Sequence, residues 1–288
     1  MAFWLNGEVR EERTAIHIAD RGFLLGDGVF ETVLLVEGRP AFFSAHLRRM
    51  RAGAAALGIE ETIDERELAH AVMELGRRNE ADKGKAWARL TLTRGVGPRG
   101  LAIVKGELTP TLLVTVNRYA APIDHGLAKV IVSKHCRNEH SLITRWKTLN
   151  YLDNILAKEE AVVAGADDAI MLNTARRVAC ASAANVFLVQ GETLKTPPPE
   201  EGAMPGVVRG VVLEEAQKAG IAIEAAPVES KELYASALFL TNSLIGLRAA
   251  AKRGGRAPGA EASAIIAKLK SCYEEAMRAD LEAFGAGL

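Results

Sequence analysis

Strand-length apolar runs and helix-length amphipathic stretches alternate along the whole chain, and no apolar run approaches the roughly 20 residues that a spanning helix needs. This interleaving points to a mixed fold, α/β or α+β, and away from a helix bundle or an all-β sandwich. The opening reads as a hairpin, with Phe3-Trp4-Leu5 and Glu8-Val9-Arg10 flanking the tight-turn pair Asn6-Gly7. A β-rich run over 29–36 turns at Glu37-Gly38 and returns through Ala41-Phe42-Phe43. Ser44 reads as the N-cap of a helix through Leu57, which Gly58 closes. A second helix is predicted over 64–78, with strands over 86–93 and 110–119.

Ala121-Pro122-Ile123-Asp124-His125-Gly126 has the composition of a linker. It divides the 288 residues into a smaller N-terminal α/β domain over 1–120 and a larger C-terminal domain over 127–288. The second part begins with a strand at 128–132. A helix is predicted over 149–164, with apolar positions at Leu152, Ile155, Leu156, Ala157 and Val162. Strands over 169–172 and 186–189 follow, then a helix over 207–219 facing its core through Val208, Val211, Val212 and Ala216. Strands at 221–223 and 237–240 precede a long C-terminal helix over 261–283.

Composition narrows the partners. Lys plus Arg and Asp plus Glu both number 36, so no global basic field holds nucleic acid or an anionic membrane. Cys136, Cys180 and Cys272 are odd in number and far apart, which disfavours a disulfide framework or a Cys-only zinc site. The N-terminus lacks a basic segment followed by an apolar one, so a secretory signal is not expected and the expected compartment is the cytoplasm. The six histidines are scattered, and no metal is expected.

Three segments carry chemistry. Arg94-Gly95-Val96-Gly97-Pro98-Arg99-Gly100 is a glycine-rich loop with two arginines, either a solvated turn or an anion trap for a carboxylate. Met204-Pro205-Gly206-Val207-Val208-Arg209 leads from a loop into a helix, and the free N–H groups of such a start can hold a phosphate. Arg145-Trp146-Lys147-Thr148-Leu149-Asn150-Tyr151-Leu152 sets a lysine among apolar and aromatic neighbours. A neutral lysine amine there is a Schiff-base nucleophile, and Tyr151 would face it if the helix begins that early. The competing reading is a lysine that snorkels from a helix start.

Taken together and in order, these segments resemble the class IV, fold-type IV, pyridoxal-phosphate aminotransferases, which include branched-chain and D-amino-acid aminotransferases and aminodeoxychorismate lyase. The resemblance runs from Leu25-Gly26-Asp27-Gly28-Val29-Phe30-Glu31-Thr32 through His46-Leu47-Arg48-Arg49-Met50, Thr93-Arg94-Gly95 and Lys147-Thr148-Leu149-Asn150-Tyr151-Leu152. It continues through Ser182-Ala183-Ala184-Asn185-Val186-Phe187 and Met204-Pro205-Gly206-Val207-Val208-Arg209 to Leu240-Thr241-Asn242-Ser243.

The resemblance implies a two-domain fold with the cofactor pyridoxal 5′-phosphate between the domains, and a homodimer. It implies that Lys147 forms the Schiff base, that Arg49 binds the cofactor phosphate with the amides of Val207 and Val208 and with Ser243, and that Tyr151 lies near the ring's phenolic oxygen. Phe30, Arg94 and Arg99 become the candidate substrate residues. One departure matters: Cys180 stands where the family usually has a glutamate paired with the pyridine nitrogen. The implied activity is transamination of a D- or branched-chain amino acid to its 2-oxo acid. The alternatives are a lyase that releases pyruvate and a cofactor-binding protein whose activity Cys180 has degraded.

Overall fold

The computed structural model describes residues 1–11, 16–61, 63–103, 106, 108–120, 126–252, 254–255 and 257–287. Residues 121–125 of the expected linker lie outside them. The chain forms two compact units that are not contiguous in sequence. The first comprises Met1–Ala121, Trp146–Asn150 and Ala279–Leu288; the second comprises Pro122–Arg145 and Tyr151–Arg278.

The first unit is a six-stranded antiparallel sheet. Its elements in chain order are β1 (Phe3–Leu5), β2 (Glu8–Arg10), α1 (Arg21–Leu25), β3 (Gly28–Val36), β4 (Arg39–Pro40), α2 (Phe43–Ala56), α3 (Glu65–Arg78), β5 (Lys85–Val96) and β6 (Thr109–Arg118). The strand order is β2-β1-β6-β5-β3-β4. Alternation along β5 divides the sheet's faces: Ala86, Ala88, Leu90 and Leu92 are buried, while Trp87, Arg89 and Thr91 are half-buried. The apolar face packs on α2 through Phe43, Leu47 and Met50, and on α3 through Leu68, Val72 and Leu75. The spacing i, i+4, i+7 puts each helical set on one stripe.

Two local expectations change. The return strand is only Arg39–Pro40, and α2 starts earlier than a Ser44 cap would allow. Its N-cap is Phe42, in the left-handed region at φ 54°, and the Phe42 N–H is accepted by the Asp280 carboxylate instead of by a local side chain. Ser44 lies inside the first turn and bonds Glu65. The end of the C-terminal helix reinforces this corner, where Phe284 meets Phe43 edge-on at 6.1 Å between ring centroids.

The second unit is an eight-stranded mixed sheet. Its elements are β7 (Ala128–Val132), α4 (Leu142–Arg145), α5 (Leu152–Val163), β8 (Asp168–Leu172), β9 (Val178–Ala181), β10 (Asn185–Gln190), β11 (Thr193–Thr196), α6 (Val207–Lys218), β12 (Ala222–Ala225), α7 (Glu232–Ala235), β13 (Ala237–Asn242) and β14 (Gly246–Lys252), followed by α8 (Ala260–Gly287). The order is β12-β11-β10-β13-β14-β7-β8-β9. Its core gathers Val130, Ile170, Leu172, Val186, Leu188, Leu238 and Leu240. The opposed pair Phe187 and Phe239 stacks at 4.8 Å between centroids.

The helix expected over 149–164 starts only at Leu152, because residues 147–149 are committed to strand pairing in the first unit. Of its expected core face, Ala157 is buried and the other four positions are not. Leu152, Ile155, Leu156 and Val162 are exposed, while Asn154, Ala157 and Ala161 are buried. Among the described residues, no helix is long and apolar enough to cross a membrane.

Gly95 sits where the β5–β6 register shifts, between Thr93 and Val96. Its φ is +81°, and a Cβ there would stand 1.7 Å from the Thr109 carbonyl oxygen. Backbone cannot yield as a side chain can, and an L residue in this region is already strained by roughly 1–2 kcal/mol. Gly95→Ala is therefore expected to destabilise the chain by at least about 2 kcal/mol, read as a lower urea midpoint at unchanged slope.

Candidate active site

In the first unit, a three-residue segment places the lysine. The Phe30 N–H donates to the Lys147 carbonyl, the Leu149 N–H donates to the Gly28 carbonyl, and Val29 pairs antiparallel with Thr148. Lys147 is thereby fixed as an edge-strand residue beside the start of β3. Its Nζ lies 4.3 Å from the centroid of the Phe30 ring, and the Arg89 guanidinium carbon lies 3.9 Å from the same centroid. Cations over an aromatic face are attracted by its quadrupole. Phe30 opposes Thr91 and Thr32 opposes Arg89, so register puts all four on one face of the sheet. Arg89 also donates from Nε to the Thr91 hydroxyl.

Glu31 points to the opposite face and meets α2. Arg49 Nε donates to Glu31 Oε1 at 2.7 Å, and Arg49 Nη2 donates to Oε2 at 2.6 Å. His46, one turn earlier on α2, lies with Nδ1 2.7 Å from the same Oε2. Burial alone would raise the Glu31 carboxyl, but the Arg49 charge and the bonds from Arg49 and His46 bring it down to about 2. Burial pushes the His46 imidazole below its ordinary range against the pull of Glu31, so at neutral pH it is a neutral donor.

Arg94, an expected anion trap, is engaged within the fold. Its Nε and Nη2 clasp both oxygen atoms of Asp27, and Nη1 and Nη2 donate to the Gly58 and Leu57 carbonyls at the end of α2. A buried fork with these four acceptors is a structural clasp. Burial would raise the Asp27 carboxyl, but hydrogen bonds from Arg94 and Arg21 hold it below the usual range. Arg21 also anchors the following loop by donating to the Gly100 and Leu101 carbonyls. Arg99 lies exposed on that loop.

The remaining expected residues lie in the second unit. Tyr151 is half-buried and occupies the N-cap of α5, so it precedes the first turn of the helix. Cys180 is buried on β9 opposite Met171, in a cluster with Ala157, Ala161, Ala169 and Ala179. Burial pushes its thiol up, against the pull of the Arg137 charge. Val207 and Val208 open α6, whose N-cap Gly206 makes no side-chain capping bond. A Cβ on Gly206 would stand 2.1 Å from Asn185 Oδ1, so the helix start lies directly against β10. Asn185 opposes Thr241 across β10–β13, and Ser243 follows in the turn to β14. The Thr241 hydroxyl, on the Asn185 face, is buried without a hydrogen-bond partner among the described residues.

Reading the sequence named Arg49 but missed Arg89 and the two residues that hold Arg49, Glu31 and His46. The signal for Arg89 was present in β5, where Trp87, Arg89, Thr91 and Thr93 alternate with Ala86, Ala88, Leu90 and Leu92. Glu31 had no such signal, because it falls at an apolar position of an otherwise apolar strand.

The family described as amino-transferase class IV matches residues 28–252. The chain belongs to the class IV aminotransferases. It is 32% identical over 245 residues, 84% of each chain, to a Methanocaldococcus jannaschii protein with the provisional name branched-chain-amino-acid aminotransferase. It is 30% identical over 254 residues to D-alanine aminotransferase from Bacillus licheniformis, covering 84% of this chain and 85% of that one. The solved structure of 4-amino-4-deoxychorismate lyase from Pseudomonas aeruginosa matches with a TM-score of 0.81 and 28% identity, over 95% of this chain and 98% of that one.

Class IV aminotransferases are pyridoxal-phosphate enzymes, and this chain is one. The residues present suit the cofactor. The phosphate suits the α6 start, an uncapped N-terminus beside an unpartnered buried hydroxyl. The aldehyde suits the half-buried Lys147 amine.

The depressed Glu31 carboxyl carries a stability consequence. Its folded value of about 2 lies below the ordinary 4.5, so it contributes stability above about pH 4.5 that is lost as pH falls toward 2. The gap corresponds to about 3 kcal/mol. Urea unfolding at pH 7, 4 and 3 is expected to show a steeper loss in the wild type than in Glu31→Gln. Parallel curves would mean that the carboxylate is not held as described.

Proposed function

We propose that the chain transaminates a D- or branched-chain amino acid to its 2-oxo acid through Lys147, as a cytoplasmic homodimer. The setting of Lys147 carries this reading: residues 147–149 are pinned to β3, and the amine is 4.3 Å from the Phe30 ring centroid on the face that holds Arg89. An amine on an anchored stem can take the proton from a substrate α-carbon with little left to reorganise. Pyridoxal phosphate, when bound, supplies the electron sink for that step.

The other residues take separate tasks in this proposal. Arg49, the Val207 and Val208 amides and Ser243 hold the phosphate, Tyr151 lies by the phenolic oxygen, and Cys180 lies by the pyridine nitrogen. Phe30 is the apolar wall beside the substrate. Arg89 takes the substrate carboxylate in place of Arg94, whose fork is filled by Asp27 and two carbonyls. Arg99 remains a second carboxylate candidate because it is exposed on its loop.

The homodimer reading is supported by apolar side chains left at the surface. Phe23 and Leu24 on α1, and Leu152, Ile155 and Val163 on α5, are all more than half exposed. The lyase reading draws on the Pseudomonas aeruginosa structure, and pyruvate release without an amino acceptor would select it. Bound cofactor with no turnover on any amino donor would select degraded activity instead.

The test is a single-turnover screen that follows the visible band of the bound cofactor against L- and D-amino acids. Lys147→Ala is expected to lose both the band and turnover while the melting temperature stays near that of the wild type. A variant with a normal rate would reject the assignment. Arg89→Ala is expected to raise KM for amino acids by about ten- to hundredfold and to spare uncharged amines, as loss of a charge-assisted bond requires. Arg94→Ala is expected to act on stability instead, by roughly 3 kcal/mol or more, since it strands the buried side of Asp27. The reverse pattern would return the carboxylate role to Arg94.

A further inference from the structure

Glu31, His46 and Arg49 form a polar cluster inside an apolar core. Val29, Val33 and Leu35 flank Glu31 on β3, and Leu47 and Met50 lie beside the pair on α2. The exposure of the three side chains is graded. Glu31 is fully enclosed, His46 is 1% exposed and Arg49 is 9% exposed, so only the arginine reaches toward the surface. Buried ion pairs contribute little net stability, and apolar residues of similar volume often do as well. Fold stability therefore does not explain why this core holds one.

The geometry supplies a use. Glu31 takes the Nε–Nη2 edge of Arg49 in two parallel bonds of 2.7 and 2.6 Å. A guanidinium gripped on that edge by two bonds cannot swing. His46 holds the carboxylate in turn, with Nδ1 2.7 Å from Oε2, and its enclosed ring fixes that oxygen. β3 is rigid sheet and α2 is packed helix, so the orientation passes from backbone to Glu31 to Arg49 without a free rotor.

We propose that Glu31, backed by His46, is the positioning residue for Arg49, holding its guanidinium in one orientation toward the phosphate of the bound cofactor. The proposal rests on the reading of Arg49 as a phosphate residue. It makes a choice that charge alone would reverse. Glu31 is an anion and repels a phosphate, so removing it would tighten binding if charge decided the outcome. Pre-ordering of the long arginine side chain opposes this, and the proposal is that ordering wins.

The experiment compares two ligands on the full chain stripped of cofactor: pyridoxal phosphate, and pyridoxal, which has no phosphate. Equilibrium dissociation constants are measured for wild type, Glu31→Gln, Arg49→Ala and the double variant. Glu31→Gln is expected to weaken pyridoxal phosphate about three- to tenfold and leave pyridoxal unchanged. Arg49→Ala is expected to weaken pyridoxal phosphate by about ten- to hundredfold, and adding Glu31→Gln to it should cost nothing more. If Glu31→Gln does not fold, Glu31→Asp is measured with the same expectation, because its shorter stem cannot reach both nitrogen atoms.

Tighter pyridoxal phosphate binding in Glu31→Gln, or equal losses for both ligands, would overturn the positioning role. Loss in the double variant beyond that of Arg49→Ala would do the same. Unaltered pyridoxal phosphate binding in Arg49→Ala would overturn the phosphate reading of Arg49 and this proposal with it, while leaving Lys147 to its own test.

Discussion

The pairing of residues 147–149 with the first three residues of β3 is the constraint on which the first unit's chemistry depends. A strand alternates its side chains, so this register puts Phe30 on the lysine's face and Glu31 on the helix face. A slip of one residue would exchange them, burying the ring under α2 and leaving the carboxylate beside the amine. Gly28 guards against the slip. A Cβ there would stand 2.5 Å from the Leu92 carbonyl oxygen and 2.9 Å from the Leu149 side chain, so only glycine fits opposite this segment. One backbone contact thereby fixes the lysine, the ring and the acid that holds Arg49.

Buried arginines are the second theme, and what surrounds each one determines what it can do. Arg94 is enclosed by one carboxylate and two carbonyls, and its role is to tie Asp27 to the end of α2. Arg49 shares one edge with Glu31 and keeps some exposure. Arg89 lies half-buried over a ring and donates to a hydroxyl. The desolvation cost of the Arg94 cation is met within the fold by its carboxylate and carbonyl acceptors.

Much of this was legible in the sequence. The Asn6-Gly7 hairpin, the strand at 29–36, the helix capped by Asp64 and the helix opening at Val207 all form as their patterns require. Their signals are local: turn pairs, caps and periodicity. The failures are long-range. Phe42 adopts a left-handed N-cap because Asp280, from the far end of the chain, accepts its N–H. Leu149 reads as the start of a helix, with Lys147 just before it, because the strand partner Gly28–Phe30 is more than a hundred residues away. Leu152, Ile155, Leu156 and Val162 of α5 read as a core face with Ala157 but lie at the surface, since periodicity detects a stripe and not what covers it. Arg94 and Arg99 looked alike on a glycine-rich loop; only the fold shows that one is enclosed and the other exposed.

Cys180 shows how sequence and structure divide the argument. Its identity raises the question of the pyridine-nitrogen partner, and its surroundings determine what a thiol at this place can do. The thiol lies among Ala157, Ala161, Ala169 and Met171, and burial keeps it protonated. Arg137, whose charge acts on it, donates to the Gly202 carbonyl, the Thr144 carbonyl and Asn154 Oδ1, all neutral acceptors. Asp168, the acid that also acts on the thiol, has an oxygen occupied by the Ser182 hydroxyl and amide. This corner therefore offers a cation and a neutral thiol where a carboxylate would favour a protonated ring nitrogen. With Cys180 beside the pyridine nitrogen, as proposed, less electron withdrawal is available for α-proton loss. More of the rate then depends on how well the Lys147 amine is placed, and the pairing of residues 147–149 with β3 governs that placement.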